Sequence, residues 1–95
     1  GYNVYPAEIE GFLNEMDGVA ESAVIGVPHP DFGEGVVAVV VPKPGAALDA
    51  AAMIATLKGR IANFKVPKHL FVVPELPRNQ MGKVQKNVLR DTHKG

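Results

Sequence analysis

Val36-Val37-Ala38-Val39-Val40-Val41 is apolar at every one of its six positions. A strand with one face in water alternates apolar and polar residues, so an unbroken run predicts a strand covered on both faces. Pro42-Lys43-Pro44-Gly45 closes it, since prolines cannot donate to a ladder and glycine frees the turn. At six residues the run is far too short for the ~20 that cross a bilayer as a helix.

The neighbouring segments supply covers for such a strand. Pro6 suits a first helical position, with Glu8 and Glu10 near the positive end of the helix dipole. Ile9, Phe12, Leu13 and Met16 then share one face, and Asp17-Gly18 supplies the stop. Val19 to Val27 reads as a strand ended by Pro28 and a turn at His29-Pro30-Asp31-Phe32-Gly33. Asp49 caps a second predicted helix whose buried stripe is Met53, Ile54, Leu57 and Ile61. His69 to Val73 is a third strand between Pro67 and Pro74, and Val84 to Arg90 a short last helix with Val84, Val88 and Leu89 as apolar positions.

The expected architecture is therefore α+β, a small sheet of about three main strands packed with about three helices. Residues 1–95 form one domain, because a chain of 95 residues supports a single core. The chain opens at Gly1-Tyr2-Asn3 without a methionine, which suits a piece of something longer.

Composition excludes several functions. There are no cysteines, so a disulfide framework, a thiol nucleophile and cysteine-ligated metals are out. That usage fits a reducing compartment, and a cytoplasmic location is expected. The net charge of zero hides a split. Residues 1–50 hold eight acids and one base, residues 51–95 nine bases and two acids. Either the basic half meets an anionic partner, or the halves face and neutralise each other. Nucleic acid is a poor candidate partner, because Phe64 and Phe71 are the only aromatics in the basic half available for base stacking.

Catalytic groups are scarce. His29, His69 and His93 lie far apart without an acid at ligand spacing, and no metal site is expected. Ser22 is the only serine and sits in a strand without a nucleophile elbow. One segment differs: Leu76-Pro77-Arg78-Asn79-Gln80-Met81-Gly82-Lys83-Val84, a polar loop between a strand and a helix. It is not a phosphate-cradling P-loop, since Pro77 replaces the first glycine and Val84 the hydroxyl. Read from composition alone, Lys83 is a solvated lysine on a turn; it also has the makings of a cationic finger for a phosphate held elsewhere.

Four stretches in order carry a resemblance: Gly1 to Glu10, Val24-Ile25-Gly26-Val27-Pro28-His29-Pro30-Asp31 with Gly33-Glu34, Phe64-Lys65-Val66-Pro67, and Pro77 to Lys83. Together they resemble the small C-terminal (lid) domain of acyl-CoA synthetases, peptide-synthetase adenylation domains and luciferases, the adenylate-forming superfamily. With Val84-Gln85-Lys86 following, the last motif looks most like malonyl-CoA synthetases.

The resemblance implies an ATP-dependent acid–CoA ligase whose large N-terminal domain binds ATP, Mg2+ and the acid. Lys83 would be the adenylation lysine, after which the small domain rotates for thioester formation with coenzyme A. Gly1, Tyr2 and Asn3 would line the pantetheine channel. The hinge and the phosphate-binding loop would precede Gly1, so this chain by itself is expected to be inactive. The resemblance further implies that Lys83 is acetylated by a GNAT-type acetyltransferase, which would recognise the loop from Pro77 through Gly82 to Lys83, and restored by a sirtuin-type deacetylase. A stand-alone regulatory module of the same fold, serving mainly as an acetyltransferase substrate, is the competing expectation.

Overall fold

The computed structural model describes residues 5–29 and 33–93. Three helices and a three-stranded sheet make up an α+β fold: α1 (Pro6–Asn14), β1 (Val19–His29), β2 (Gly33–Pro42), α2 (Ala50–Lys58), a single 3-10 turn at Asn63–Lys65, β3 (His69–Val72) and α3 (Lys86–Thr92). The strand order is β1-β2-β3, with β1 antiparallel and β3 parallel to the central β2.

The apolar run is the middle of the sheet, and both of its faces are covered. Val36, Ala38 and Val40 pack with Ile9 and Leu13 of α1 and Met53 and Leu57 of α2. Val37, Val39 and Val41 pack on the other face with Leu76 and with Leu89 of α3. Val37, Val39, Val40, Ile9, Leu13 and Leu57 have no solvent exposure at all. Each such side chain contributes roughly 1.5–3 kcal/mol of burial, and this double core holds the sheet.

Local details differ from the sequence expectations for physical reasons. The first helix ends at Asn14 because its last turn tightens: the Glu15 and Met16 N–H groups donate to the Phe12 and Leu13 carbonyls, three residues back. Glu10 does not serve the helix dipole. Its carboxylate accepts from the Val24 N–H at 2.8 Å and pairs with Lys86 at 3.0 Å, tying α1 to the free edge of β1 and to α3. β1 continues past Val27, pairing Pro28 with Glu34 and His29 with Gly33. On an edge strand a missing N–H facing away from the ladder costs nothing. Residues 30–32 of the expected turn lie outside the described residues. Ile61 follows α2 rather than ending it, yet packs against the same core. Val84 precedes α3, in an isolated bridge with Arg78, and Val88 is 40% exposed.

Asp49 caps α2 as expected, its Oδ1 accepting the Ala52 N–H at 3.1 Å. Gly18 has φ +86°, and an added Cβ would lie 3.2 Å from both Ala46 Cβ and Leu48 Cδ2. Gly18→Ala should therefore lower the urea midpoint by an amount worth about 2 kcal/mol or more, combining backbone strain with crowding. An unchanged midpoint would show that the turn relaxes.

Part of the charge split is neutralised between the halves. Every ion pair among the described residues joins a first-half acid to a second-half base: Glu15 with Arg60, Glu8 with Lys65, Glu21 with Arg78 and Glu10 with Lys86. Among the described residues no helix is long and apolar enough to cross a membrane.

Candidate functional site

The loop singled out by sequence is a tight β-hairpin. Arg78 and Val84 face each other in an antiparallel bridge, and the Gln85 N–H donates to the Pro77 carbonyl at 2.8 Å. At the tip, the Gly82 N–H donates to the Asn79 carbonyl (2.9 Å) and the Asn79 N–H to the Lys83 carbonyl (3.0 Å). Gly82 has φ +81°, the left-handed position that three-residue hairpin loops reserve for glycine. Leu76, 5% exposed, and the half-buried Val84 root the hairpin in the second core.

The Asn79 side chain organises the tip. Its Oδ1 accepts from the Met81 N–H at 2.9 Å and the Lys83 N–H at 3.0 Å, the turn-forming habit of asparagine. These bonds settle the comparison with a P-loop. The N–H groups of Met81, Gly82 and Lys83, which a phosphate cradle would need, are all spent inside the turn.

Lys83 thus has a fixed backbone and a free head. Its residue is exposed, and among the described residues its ammonium makes no hydrogen bond or ion pair. A cation so presented can meet an anion brought to it without first breaking a partner. Arg78 reinforces the arrangement: Nη1 donates to the Gly82 carbonyl at 2.7 Å, while Nη2 pairs with the Glu21 carboxylate on β1. Sequence reasoning passed over Arg78, Asn79 and Glu21 as functional residues. The legible signal was an asparagine three residues before a glycine at a hairpin tip; nothing in the sequence pointed to Glu21.

Asn79→Ala removes both side-chain bonds to the tip. Amide exchange of Lys83 and Met81 should quicken about tenfold, equivalent to ~1.4 kcal/mol, while the core amide of Val39 keeps its rate. Equal protection at Lys83 in both forms would show that the backbone bonds suffice.

Pro77 and Gly82 stand at the base and tip of this hairpin. Gly1, Tyr2 and Asn3 lie outside the described residues. His69 and His93 flank Phe71, with ring centroids 6.0 and 4.8 Å away. The Ser22 hydroxyl donates to Asn14 Oδ1 at 2.7 Å, a structural tie between β1 and the end of α1. Among the described residues no three His, Asp or Glu side chains converge on a point where a metal would sit. A depression of about 180 Å³ lies between α1 and α2, lined by Phe12, Glu15, Met16, Thr56 and Arg60. It falls short of the ~300 Å³ at which small-molecule sites begin. Among the described residues the lysine hairpin is the candidate site.

The chain is 56% identical over 94 residues to the 3-[(3aS,4S,7aS)-7a-methyl-1,5-dioxo-octahydro-1H-inden-4-yl]propanoyl:CoA ligase of Rhodococcus jostii (strain RHA1), covering 99% of the chain and 18% of that ligase. It is 50% identical over 90 residues to the indoleacetate–CoA ligase of Aromatoleum aromaticum (strain DSM 19018 / LMG 30748 / EbN1), covering 95% of the chain and 18% of the ligase. Its fold superposes on ATP-bound MatB from Rhodopseudomonas palustris with a TM-score of 0.92 and 61% identity, over 99% of this chain and 19% of that one. The chain spans about a fifth of the length of these proteins. The family model for the AMP-binding enzyme C-terminal domain matches residues 8–83, from α1 through the lysine of the hairpin. The chain belongs to that family, the C-terminal domains of AMP-binding enzymes.

Proposed function

We propose that this chain is the small domain of an ATP-dependent acid–CoA ligase and that Lys83 is its adenylation lysine. The observation that carries the reading is the exposed ammonium, without a partner among the described residues, on a hairpin tip held by the Asn79 side chain, inside a family of AMP-binding enzymes. In the first half-reaction a carboxylate oxygen attacks the α-phosphorus of ATP, the bond to pyrophosphate breaks, and an acyl-adenylate forms. Two anions must approach each other there. An ammonium ~4 Å from the developing charge offsets the repulsion by about 4 kcal/mol at an effective dielectric near 20.

The second half-reaction needs a different surface. The coenzyme A thiol attacks the acyl carbonyl and AMP leaves, while rotation of the small domain withdraws Lys83 and brings the Gly1-Tyr2-Asn3 segment to the pantetheine channel. The N-terminal domain of the same ligase is the partner in both states. Magnesium would accompany the nucleotide on that domain, since the described residues here offer no cluster to hold it.

Malonate is the proposed acid, supported by the resemblance of Pro77 to Lys83, with Val84-Gln85-Lys86 following, to malonyl-CoA synthetases, and by the 61% identity with MatB. The ligases named for bulky ring-bearing acids, 56% and 50% identical to this chain, supply the competing substrates. The test is pyrophosphate release by the full-length ligase with malonate, indoleacetate and a ring-bearing propanoate in turn. Release with malonate, followed by thioester formation on adding coenzyme A, supports the assignment. No acid-dependent release with any carboxylate would overturn the ligase reading, and release with another acid only would overturn malonate.

The same lysine is a proposed control point. A GNAT-type acetyltransferase would take the loop from Pro77 to Lys83 as its substrate, and a sirtuin-type deacetylase would restore the charge in the cytoplasm. Exposure of Lys83 on a regular hairpin suits such recognition. Acetylation converts the ammonium to a neutral amide, so adenylation should fall as far as in Lys83→Gln while thioester formation persists. Mass spectrometry after treatment with an acetyltransferase, read beside both half-reactions, checks this; a fully acetylated Lys83 with normal adenylation would sink it.

A further inference from the structure

We infer that Glu21 and Arg78 form a positioning pair for Lys83: the pair clamps the lysine hairpin to the edge of the sheet and so sets where the ammonium arrives. The inference rests on Lys83 being the adenylation lysine. Arg78 reaches two points at once, the Gly82 carbonyl immediately before Lys83 and the Glu21 carboxylate on β1. A guanidinium suits that double role, because its planar fork holds two acceptors in fixed directions.

The position of Glu21 needs an irregularity in the sheet. Val19 pairs with Pro42 but Glu21 pairs with Val41, so two steps along β1 match one along β2, a β-bulge at Ala20. Val19 belongs to the core on the α1 and α2 face. Plain alternation would put Glu21 on that face too. The bulge instead sets Glu21 opposite Val41, whose side chain lies in the core of the hairpin face. Only there can Glu21 meet Arg78. Bulges commonly re-aim a side chain beside an active site, and this one aims Glu21 at the hairpin.

Stability is a poor account of the pair. Its side chains are 40% and 37% exposed, where ion pairs contribute little to folding. Geometry is the better account. Leu76 and Val84 root the base of the hairpin in the core, and among the described residues the Arg78-Glu21 pair is the ion pair that joins it to the sheet. When the small domain moves as a body, any slack between hairpin and sheet becomes an error in the lysine's position. A misplacement near 1 Å can cost about a hundredfold in rate.

The experiment is a double-mutant cycle in the full-length ligase: Glu21→Ala, Arg78→Ala and both together, with Glu21→Gln and Arg78→Lys as conservative partners. Each is assayed for adenylate formation and, separately, for thioester formation from preformed acyl-adenylate, beside Lys83→Ala and a melting curve. Each alanine variant should slow adenylation roughly ten- to a hundredfold. The double variant should be no worse than the singles, since either removal breaks the same clamp. Thioester formation and the melting midpoint should stay near wild type, and Glu21→Gln, which keeps an acceptor, should recover part of the rate. Normal adenylation in the alanine variants while Lys83→Ala is defective would overturn the pair and leave the lysine's role intact. Independent, multiplying losses, or equal losses in both half-reactions, would overturn it as well. If Lys83→Ala itself is silent, the reading of the lysine falls and the positioning role falls with it.

Discussion

Lys83→Ala in the full-length ligase should slow adenylate formation by roughly 10²–10³, with thioester formation from preformed acyl-adenylate unchanged. The split is the diagnostic part. The ammonium is exposed and has no partner among the described residues, so its loss breaks no contact and the fold should be unaffected. On the proposed reading, what disappears is a charge delivered to the carboxylate and α-phosphate while negative charge accumulates between them. That interaction is stronger in the transition state than in either ground state, so the loss should fall on kcat more than on KM. Arginine should restore little, because its planar head differs in shape from a compact ammonium. Normal rates in both halves would reduce Lys83 to a surface lysine on a family fold. Equal loss in both halves would mean that it serves the domain interface rather than one chemical step.

The sheet was legible because its central strand breaks the alternation rule, and only burial on two faces makes Val36 to Val41 sensible. The helices followed from stripes that still pack where the helix has already ended, as Met16 and Ile61 do. Boundaries were less legible because tertiary partners set them. Pro28 stays in β1 only because that strand is an edge, and Val84 leaves α3 for a bridge with Arg78. Of the candidate site, Lys83 and its loop were singled out from a local motif, but that the loop is a hairpin was not legible. Nor was Glu21, since 57 positions separate it from Arg78 and the bulge that turns it toward the hairpin has no local signature. The charge split announced interactions between the halves without saying which acid meets which base; Glu10 shows why, serving a strand edge and a lysine on another layer together.

The largest expected effect on stability is at Val39. It has no solvent exposure, sits opposite Ala23 of β1 and Phe71 of β3, and belongs to the core between the sheet and α3. Among the described residues no polar or charged residue is buried, so an aspartate there meets no fully buried cation or polar side chain. An uncompensated buried charge costs about 3–5 kcal/mol or more. Val39→Asp should thus consume most or all of the ~5–10 kcal/mol that a domain of this size has in reserve, and far-UV circular dichroism should show no cooperative urea transition. Val39→Ala should keep the transition at a cost of about 2 kcal/mol, because it leaves a small cavity and no charge. Val72 provides the contrast: on the neighbouring strand it is 43% exposed, and Val72→Asp should shift the midpoint by no more than about 1 kcal/mol. A Val39→Asp protein that unfolds cooperatively near the wild-type midpoint would mean that one face of β2 is open to water, and that the hairpin carrying Lys83 is not rooted in a second core.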